Sequence, residues 1–528
     1  MIRAQATIYY VDSTNGLDTN TGTSSTTAWQ TLKRPNSVVL NPGDQIWFIR
    51  GGVWSGQLLV QYSGTSTNPI IIRDYGNASN PNPLINAGGG SSTSINSSAI
   101  YIVGSISYVT VENFSVTNFY GSSFTNDITS VVPGDSEGAR SGIQIGKYND
   151  TQTGISVLNN EIYDVEGFSN NPGNTFNAYA RGTTLTPVTT YCCYYCAALF
   201  AHGYQMNNMT ISGNYIHDCT GTGLYVAPQT GTVSGTTGLM VENNTINNIG
   251  DDGIEIEYST SPVIQNNSCT GAGNNSYNGT WPVSGYIGLH GWACAGMWAY
   301  GCSNVLFQYN YCQGTHQIYY DGEAWDFDNN LTGTCIYQYN YSRNNQGGFL
   351  LSTRDSVTSG LTLIARFNIS VDDGSLQGAG EGFFNNYVDA YYNNIFYRDD
   401  GLGFLMQSSV KGTFENNIFY TTATTNVTYQ ATSRTFTNNC FYGHTPINPG
   451  TSPVLANPLF VNQTSAAAGT GLTQETGFQI QPGSPCLGTG VLVANNGGID
   501  YWGNPLPTST ANIGAGIETN TTPALPPW

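Results

Sequence analysis

Two short runs of the chain concentrate carboxylates that could do acid–base chemistry. The first is Gly250-Asp251-Asp252-Gly253-Ile254-Glu255-Ile256-Glu257. The second is Asp321-Gly322-Glu323-Ala324-Trp325-Asp326-Phe327-Asp328. Both alternate like β-strands, in which successive side chains point to opposite faces. With Ile254 and Ile256 turned inward, Glu255 and Glu257 point outward. With Trp325 and Phe327 inward, Asp326 and Asp328 do the same. Aligned on their apolar residues, the runs set Glu323 beside Asp252, Asp326 beside Glu255 and Asp328 beside Glu257. This gives two columns on an exposed face, with rungs roughly 5 Å apart and columns roughly 7 Å apart. The next aligned run, Gly348-Phe349-Leu350-Leu351, carries no acid, so the cluster is local.

Like charges opposed across strands are destabilising. Such a cluster persists if some groups stay protonated, if a cation binds, or if the strain serves a purpose. Paired carboxyls with pKa values pushed apart are the machinery of glycoside hydrolysis. One gives a proton to the leaving oxygen; the other activates water or attacks the anomeric carbon. Asp252, Glu255, Glu323 and Asp326 are the expected catalytic acid and base or nucleophile. Asp251, Glu257, Asp321 and Asp328 are expected to tune those groups or to hold a cation, since carboxylate oxygens at this density also suit Ca²⁺. A plain solvated acidic face is the third reading. The hydrolytic scheme needs no cofactor, Ca²⁺ being the alternative occupant. The pattern offers both short and wide carboxyl separations, so retention and inversion both stay open.

The elements that position these acids are set by a recurring Asn-x-(apolar or small) tag that closes short β-rich runs. The tags are Asn113, Asn160, Asn214, Asn244, Asn267, Asn310, Asn340, Asn368, Asn394, Asn417 and Asn439, spaced 22 to 54 residues apart. A period in this range marks a solenoid. The minimal coil is 22 residues, between Asn417 and Asn439, and longer intervals carry inserted loops. The fold class expected is all-β, a right-handed single-stranded parallel β-helix. Residues 1–6 read as the trimmed end of a secretion signal, with Ala4-Gln5-Ala6 as a small-x-small tripeptide, or as a chance tripeptide. Residues 7–56 read as an N-terminal cap, 57–445 as the β-helix with inserted loops, and 446–528, where the repeat fades and Pro appears, as a C-terminal closing segment.

Long loops above a rigid scaffold are where binding usually resides. The loop between the acid runs holds His290, Trp292 and Trp298, and Tyr320 precedes the second run. The aromatics are candidate sugar platforms. His290 is placed to orient substrate or tune a carboxylate, and Arg354 to flank the acids. Glu381 is a reserve acid.

Charge limits the partners. The chain has 33 acids against 14 bases, a net charge of −19. Nucleic acid needs basic patches to replace its counterions, and none is present. No run reaches the about 18 apolar residues of a membrane span. A neutral or weakly charged polysaccharide carries no electrostatic penalty. Oligomeric state is not encoded in any pattern here. Among 11 cysteines, Cys269 and Cys312 share one phase in neighbouring repeats, as a disulfide or as a column of reduced core thiols. Cys192, Cys193 and Cys196 lack a zinc-spaced second half and fit a loop disulfide.

The opening Tyr9-Tyr10-Val11-Asp12-Ser13, with Ala28-Trp29-Gln30-Thr31-Leu32 and Pro42-Gly43-Asp44, resembles secreted bacterial proteins of the pectate-lyase-like parallel β-helix superfamily. So do Asn457-Pro458-Leu459-Phe460, Gln481-Pro482-Gly483-Ser484-Pro485 and Gly503-Asn504-Pro505-Leu506-Pro507 near the end. The resemblance spans nearly the whole chain and implies extracellular polysaccharide hydrolase or lyase chemistry. Gly250-Asp251-Asp252 resembles the paired acids of polygalacturonase-type hydrolases, but their Asn-Thr-Asp, Gly-His-Gly and Arg-Ile-Lys have no counterparts. Asp251 to Glu255 resembles the calcium-binding run of a pectate lyase family that uses a lysine base. The lysines here, Lys33, Lys147 and Lys411, are not phased beside the acids. The expectation is an extracellular glycoside hydrolase, with a calcium-dependent polysaccharide lyase and a non-catalytic carbohydrate-binding adhesin as alternatives.

Overall fold

The computed structural model describes residues 6–87, 98–118, 141–147, 149–165, 179–180, 183–184, 197–219, 221–228, 236–274, 293–317, 320–354, 357–374, 387–404, 406, 409–423, 426–468 and 475–516. The chain divides into two compact units. One is Met1–Pro262 with Gly271–Trp292, the other Val263–Thr270 with Ala293–Trp528. Each unit by itself is a parallel β-helix, right-handed as crossovers between parallel strands are.

In the first unit three parallel sheets repeat coil by coil. One runs from Ile8–Val11 through Gln45–Ile49, Ile70–Tyr75 and Ser107–Glu112 to Thr151–Leu158. A second runs from Val53–Ser55 through Leu84–Asn86, Ser115–Asn118, Glu161–Val165 and Tyr215–Cys219 to Thr245–Ile249. The third, which carries the acids, runs from Leu58–Val60 through Ser98–Ile102, Ser141–Ile145, Ala197–Gly203 and Thr222–Pro228 to Ile254–Glu257. In the second unit the third sheet comprises Met297–Tyr300, Glu323–Phe327 and Gly348–Ser352. The segment after residue 446 includes the short helix Gln463–Ala468. Phe460, Phe478, Ile480 and Trp502 pack into one core with Tyr397 and Ile418 of the strands. No helix among the described residues is long and apolar enough to cross a membrane.

The tag asparagines explain the repeat. From Asn160 on each is buried, and within each unit the side-chain oxygen of a tag accepts the backbone N–H of the tag one coil earlier. In the second unit Asn310, Asn340, Asn368, Asn394 and Asn417 each donate N–H to the next tag at 2.9–3.0 Å. In the first unit Asn160 and Asn214 do so at 3.0 Å. Each amide nitrogen also reaches a backbone carbonyl, as Asn340 Nδ2 does to Phe307 at 3.1 Å. The residue before the tag has positive φ: Asn159 +54°, Asn243 +56°, Asn393 +56°, Asn416 +57°. Asn tolerates that left-handed turn better than most residues, which accounts for the recurrent Asn-Asn pairs. Asn113 is the exception among the expected tags. It sits at φ +63° in the left-handed position, and Phe114 donates its N–H to Asn160 instead.

Cys269 and Cys312 lie in register on adjacent strands, and both are buried free thiols. They form the reduced column. Cys192, Cys193 and Cys196 lie outside the described residues.

Asn340 makes and accepts ladder bonds on both sides, so Asn340→Ala leaves the buried N–H of Asn310 without its acceptor. The expected loss is about 3 kcal/mol, read as a lowered urea midpoint. Asn243→Gly, at a turn that glycine adopts freely, is expected to change stability by less than about 1 kcal/mol.

Candidate active site

In the first unit, Ile254–Glu257 pairs with Thr222–Pro228. Glu255 therefore stands beside Tyr225, and Tyr225 beside Phe200 one coil earlier. The expected alternation holds: Ile254 and Ile256 are fully buried in register with Leu224 and Val226. On the opposite parity stand Phe200, Tyr225 and Ala227, which form a separate apolar cluster with Ala197. Phe200 stacks on His202 at 5.3 Å, and His202 Nδ1 donates to the Ala227 carbonyl at 2.8 Å.

These neighbours correct one expectation. The acids do not stand on an open solvated face: Asp251 and Asp252 are buried, Glu255 is 8% exposed, and only Glu257 is partly exposed. Their columns are shared with aromatic side chains, which displace water from the carboxyls. Burial accordingly pushes Glu255 well above the ordinary carboxylate range. The charges of Glu257, Asp252 and Asp251 push the same way, and a hydrogen bond from the Tyr225 hydroxyl opposes them. Desolvation and like charges both favour the neutral, protonated form of such a carboxyl.

In the second unit, both sides of Glu323–Phe327 are taken, by Met297–Tyr300 and by Gly348–Ser352. Asp326 is in register with Trp298 and Leu351, not with Glu255 as the alignment of the two runs implied. The strand Met297–Tyr300 belongs to the coil tagged by Asn267. It is separated from that tag by a long insertion and carries no acid, so counting acid runs skipped it. Trp325 and Phe327 do face inward, against Tyr337 at 5.7 and 4.7 Å. The Tyr337 hydroxyl donates to the Met297 and Asp326 carbonyls at 3.0 and 2.8 Å, tying the strands from inside.

Glu323 is fully buried and Asp326 is 5% exposed, whereas Asp321 and Asp328 are partly exposed. Burial also raises Asp328, against hydrogen bonds from the Asn329 backbone, the Thr353 hydroxyl and the Asn329 amide. Asp321 adopts φ +62°, a costly left-handed conformation for a non-glycine residue. Trp298 contributes an indole Nε1 that is buried without an acceptor among the described residues.

The remaining candidates are dispersed. Arg354 forms a two-pronged pair with Asp389, at 2.8 and 3.2 Å, and lies over the Tyr387 ring. Asp389 and Tyr387 are thus two of its partners. Tyr320 is on the two-residue strand Tyr320–Asp321. His290, Trp292 and Glu381 lie outside the described residues. The residues missed in the sequence are Phe200, His202 and Tyr225. Their signal was available: they occupy the outward columns of Glu255 and Glu257, one and two coils earlier.

No family model matches the chain. It is 26% identical over 534 residues to the lacto-N-biosidase of Bifidobacterium longum subsp. longum, covering 89% of this chain. The chain spans only 32% of that protein's length. The GH136 lacto-N-biosidase from Eubacterium ramulus superposes with a TM-score of 0.56 at 23% identity, covering 77% of this chain and 66% of that one. Its native crystal form gives 0.55 at 24%. The structural likeness shows the fold: this chain shares its β-helix with these enzymes.

Tyr225 offers a specific check. Its hydrogen bond favours the charged form of Glu255, so Tyr225→Phe raises that pKa further. An acid that works protonated then stays active to higher pH. The alkaline limb of the activity profile is expected to move up by ~1 pH unit, read from kcat against pH. A downward or absent shift would exclude Glu255 as the titrating acid.

Proposed function

We propose that the chain is an extracellular glycoside hydrolase acting on oligosaccharides or neutral polysaccharides, using carboxyl groups of the third sheet. The observation that carries this reading is the Glu255 site. Burial and three neighbouring acids push this carboxyl well above the ordinary range and so favour its protonated form, beside a tyrosine hydroxyl. That is the condition a general acid needs near neutral pH. The partners Asp252 and Glu257 are the base or nucleophile candidates in the same unit. In the second unit Asp328 joins the candidates of the sequence, because it is raised by burial and remains partly exposed. The relationship to two lacto-N-biosidases supports a lacto-N-bioside as the first substrate to try. The net charge of −19 favours a neutral glycan over an anionic one.

The chemistry divides cleanly. Glu255 gives its proton to the glycosidic oxygen as the bond to the anomeric carbon breaks. An ionised partner either captures that carbon or takes a proton from the attacking water. The aromatic side chains of Phe200, Tyr225 and His202 on the adjoining columns keep the site poor in water, which strengthens each charge interaction.

The test is turnover of a chromogenic lacto-N-bioside and of a glycan panel, with reducing-end and ultraviolet readouts in parallel. Hydrolysis releases reducing ends without an unsaturated product; a lyase gives the ultraviolet signal, and an adhesin gives neither. Glu255→Gln and Asp328→Asn are compared. At least one is expected to lower kcat by about 10²–10⁴ with the fold intact by circular dichroism. Full turnover in both would remove the carboxyl mechanism. EDTA is expected to leave activity unchanged; its loss and rescue by Ca²⁺ would move the cluster to a cation-holding role.

A further inference from the structure

Two thiols in the second unit come from different parts of the chain and meet. Cys440 opens the strand Cys440–Tyr442, fixed by its N–H to the Asn417 carbonyl at 2.8 Å and paired with Ile418. Cys486 lies outside any strand, in the segment after residue 446. Its N–H is held by the Ser484 hydroxyl at 3.1 Å and its carbonyl by the Ile513 N–H at 3.0 Å. Both side chains are fully buried in one core cluster and both are free. The Ile513 N–H that holds Cys486 lies next to Gly514, which packs on Ile418, the strand partner of Cys440, while Cys440 Sγ donates to the Ala456 carbonyl at 3.4 Å. They stand 46 positions apart in sequence.

The other thiol pair gives the contrast. Cys269 and Cys312 also touch, but they sit in register on adjacent parallel strands, with Asn267 bonded to Asn310 beside them. Strand spacing holds such side chains parallel at about 4.8 Å, whereas a disulfide wants its Cβ atoms about 3.5–4.5 Å apart with a near-perpendicular twist. The ladder resists that approach. Cys486 has no strand pairing to break and approaches Cys440 from the facing segment.

We infer that Cys440 and Cys486 are an oxidation site, forming a disulfide that fastens the closing segment to the β-helix of the second unit. The oxidant is a disulfide of the glutathione or thiol-oxidoreductase class. One cysteine thiolate attacks it, forming a mixed disulfide and releasing one thiol. The second cysteine thiolate attacks the mixed disulfide at its protein sulfur, releasing the other thiol. Two electrons and two protons pass from the protein to the oxidant, and one S–S bond forms. The neighbouring Cys486 thiol, and after it burial, push the Cys440 thiol up and so oppose thiolate formation while the segment is docked. The reaction therefore belongs to folding or to transient lifting of the segment. Once formed, the bond closes a long loop, the case in which a disulfide constrains the unfolded chain most.

The full chain is incubated in an oxidising glutathione buffer containing mild urea, returned to native buffer, alkylated, and digested without reduction. Peptide mass mapping is expected to find Cys440 linked to Cys486, with Cys269 and Cys312 both alkylated. No such linked peptide, or a Cys269–Cys312 link in its place, overturns the assignment. Thermal melting gives the second readout. Oxidised protein is expected to melt about 5 °C above reduced protein, Cys269→Ser to keep that difference, and Cys486→Ser to lose it. A redox-dependent melting temperature that survives Cys486→Ser overturns the inference as well.

Discussion

The hydrogen bond from a backbone N–H to the buried asparagine amide of the following coil governs this architecture. A coil of 22 residues bends sharply between its strands, and at the bend a backbone donor has no strand partner. Burying that donor unpaired would cost about 1–3 kcal/mol at each coil. An asparagine at the bend supplies both an acceptor for the neighbour and donors of its own, so a single residue type closes the account coil after coil. The neighbouring residue turns left-handed to allow it. Once the bends are fixed, the strands stack in register, and each outward position becomes a column. The acids, the aromatics and the Cys269–Cys312 thiols inherit their neighbours from that register.

This is why so much of the fold was legible and why the site was legible only in part. The tags from Asn160 to Asn439 give the solenoid, its period and the inward parity of Ile254, Ile256, Trp325 and Phe327. Asn113 shows the limit: an asparagine suits both the ladder position and the left-handed position before it, and composition does not tell them apart. The coil count failed for a related reason. Asn267 and Met297–Tyr300 belong to one coil, but the insertion between them is longer than a whole minimal coil. An uncharged strand after such a gap gives no mark that a search for acids would detect.

Burial is not legible in alternation, which reports which way a side chain points and not what stands next to it. Glu255 points outward as expected. Its neighbour in the column is Tyr225, then Phe200, and these come from coils whose sequences look unremarkable alone. A column is a property of several coils at once. An outward carboxyl set among aromatic rings loses much of its hydration while keeping its direction, and that combination moves a pKa upward without removing the group from a surface.

The balance of charge then decides what accompanies Glu255. Fourteen basic residues face 33 acids, and several bases are already committed: Arg50 to Asp74, Arg354 to Asp389, Arg398 to Asp400. None of the groups that shift Glu255 is a cation. Had an arginine stood in that column, the carboxyl would have been held ionised and fit only to act as a base. With acids on three sides, the proton is the counterion nearest to hand. A buried acid whose pKa is raised by other acids is costly to a fold and useful to a reaction that begins with proton donation. That trade accounts for the cluster better than a solvated acidic surface, which would have kept its aromatic neighbours away and its carboxyls apart.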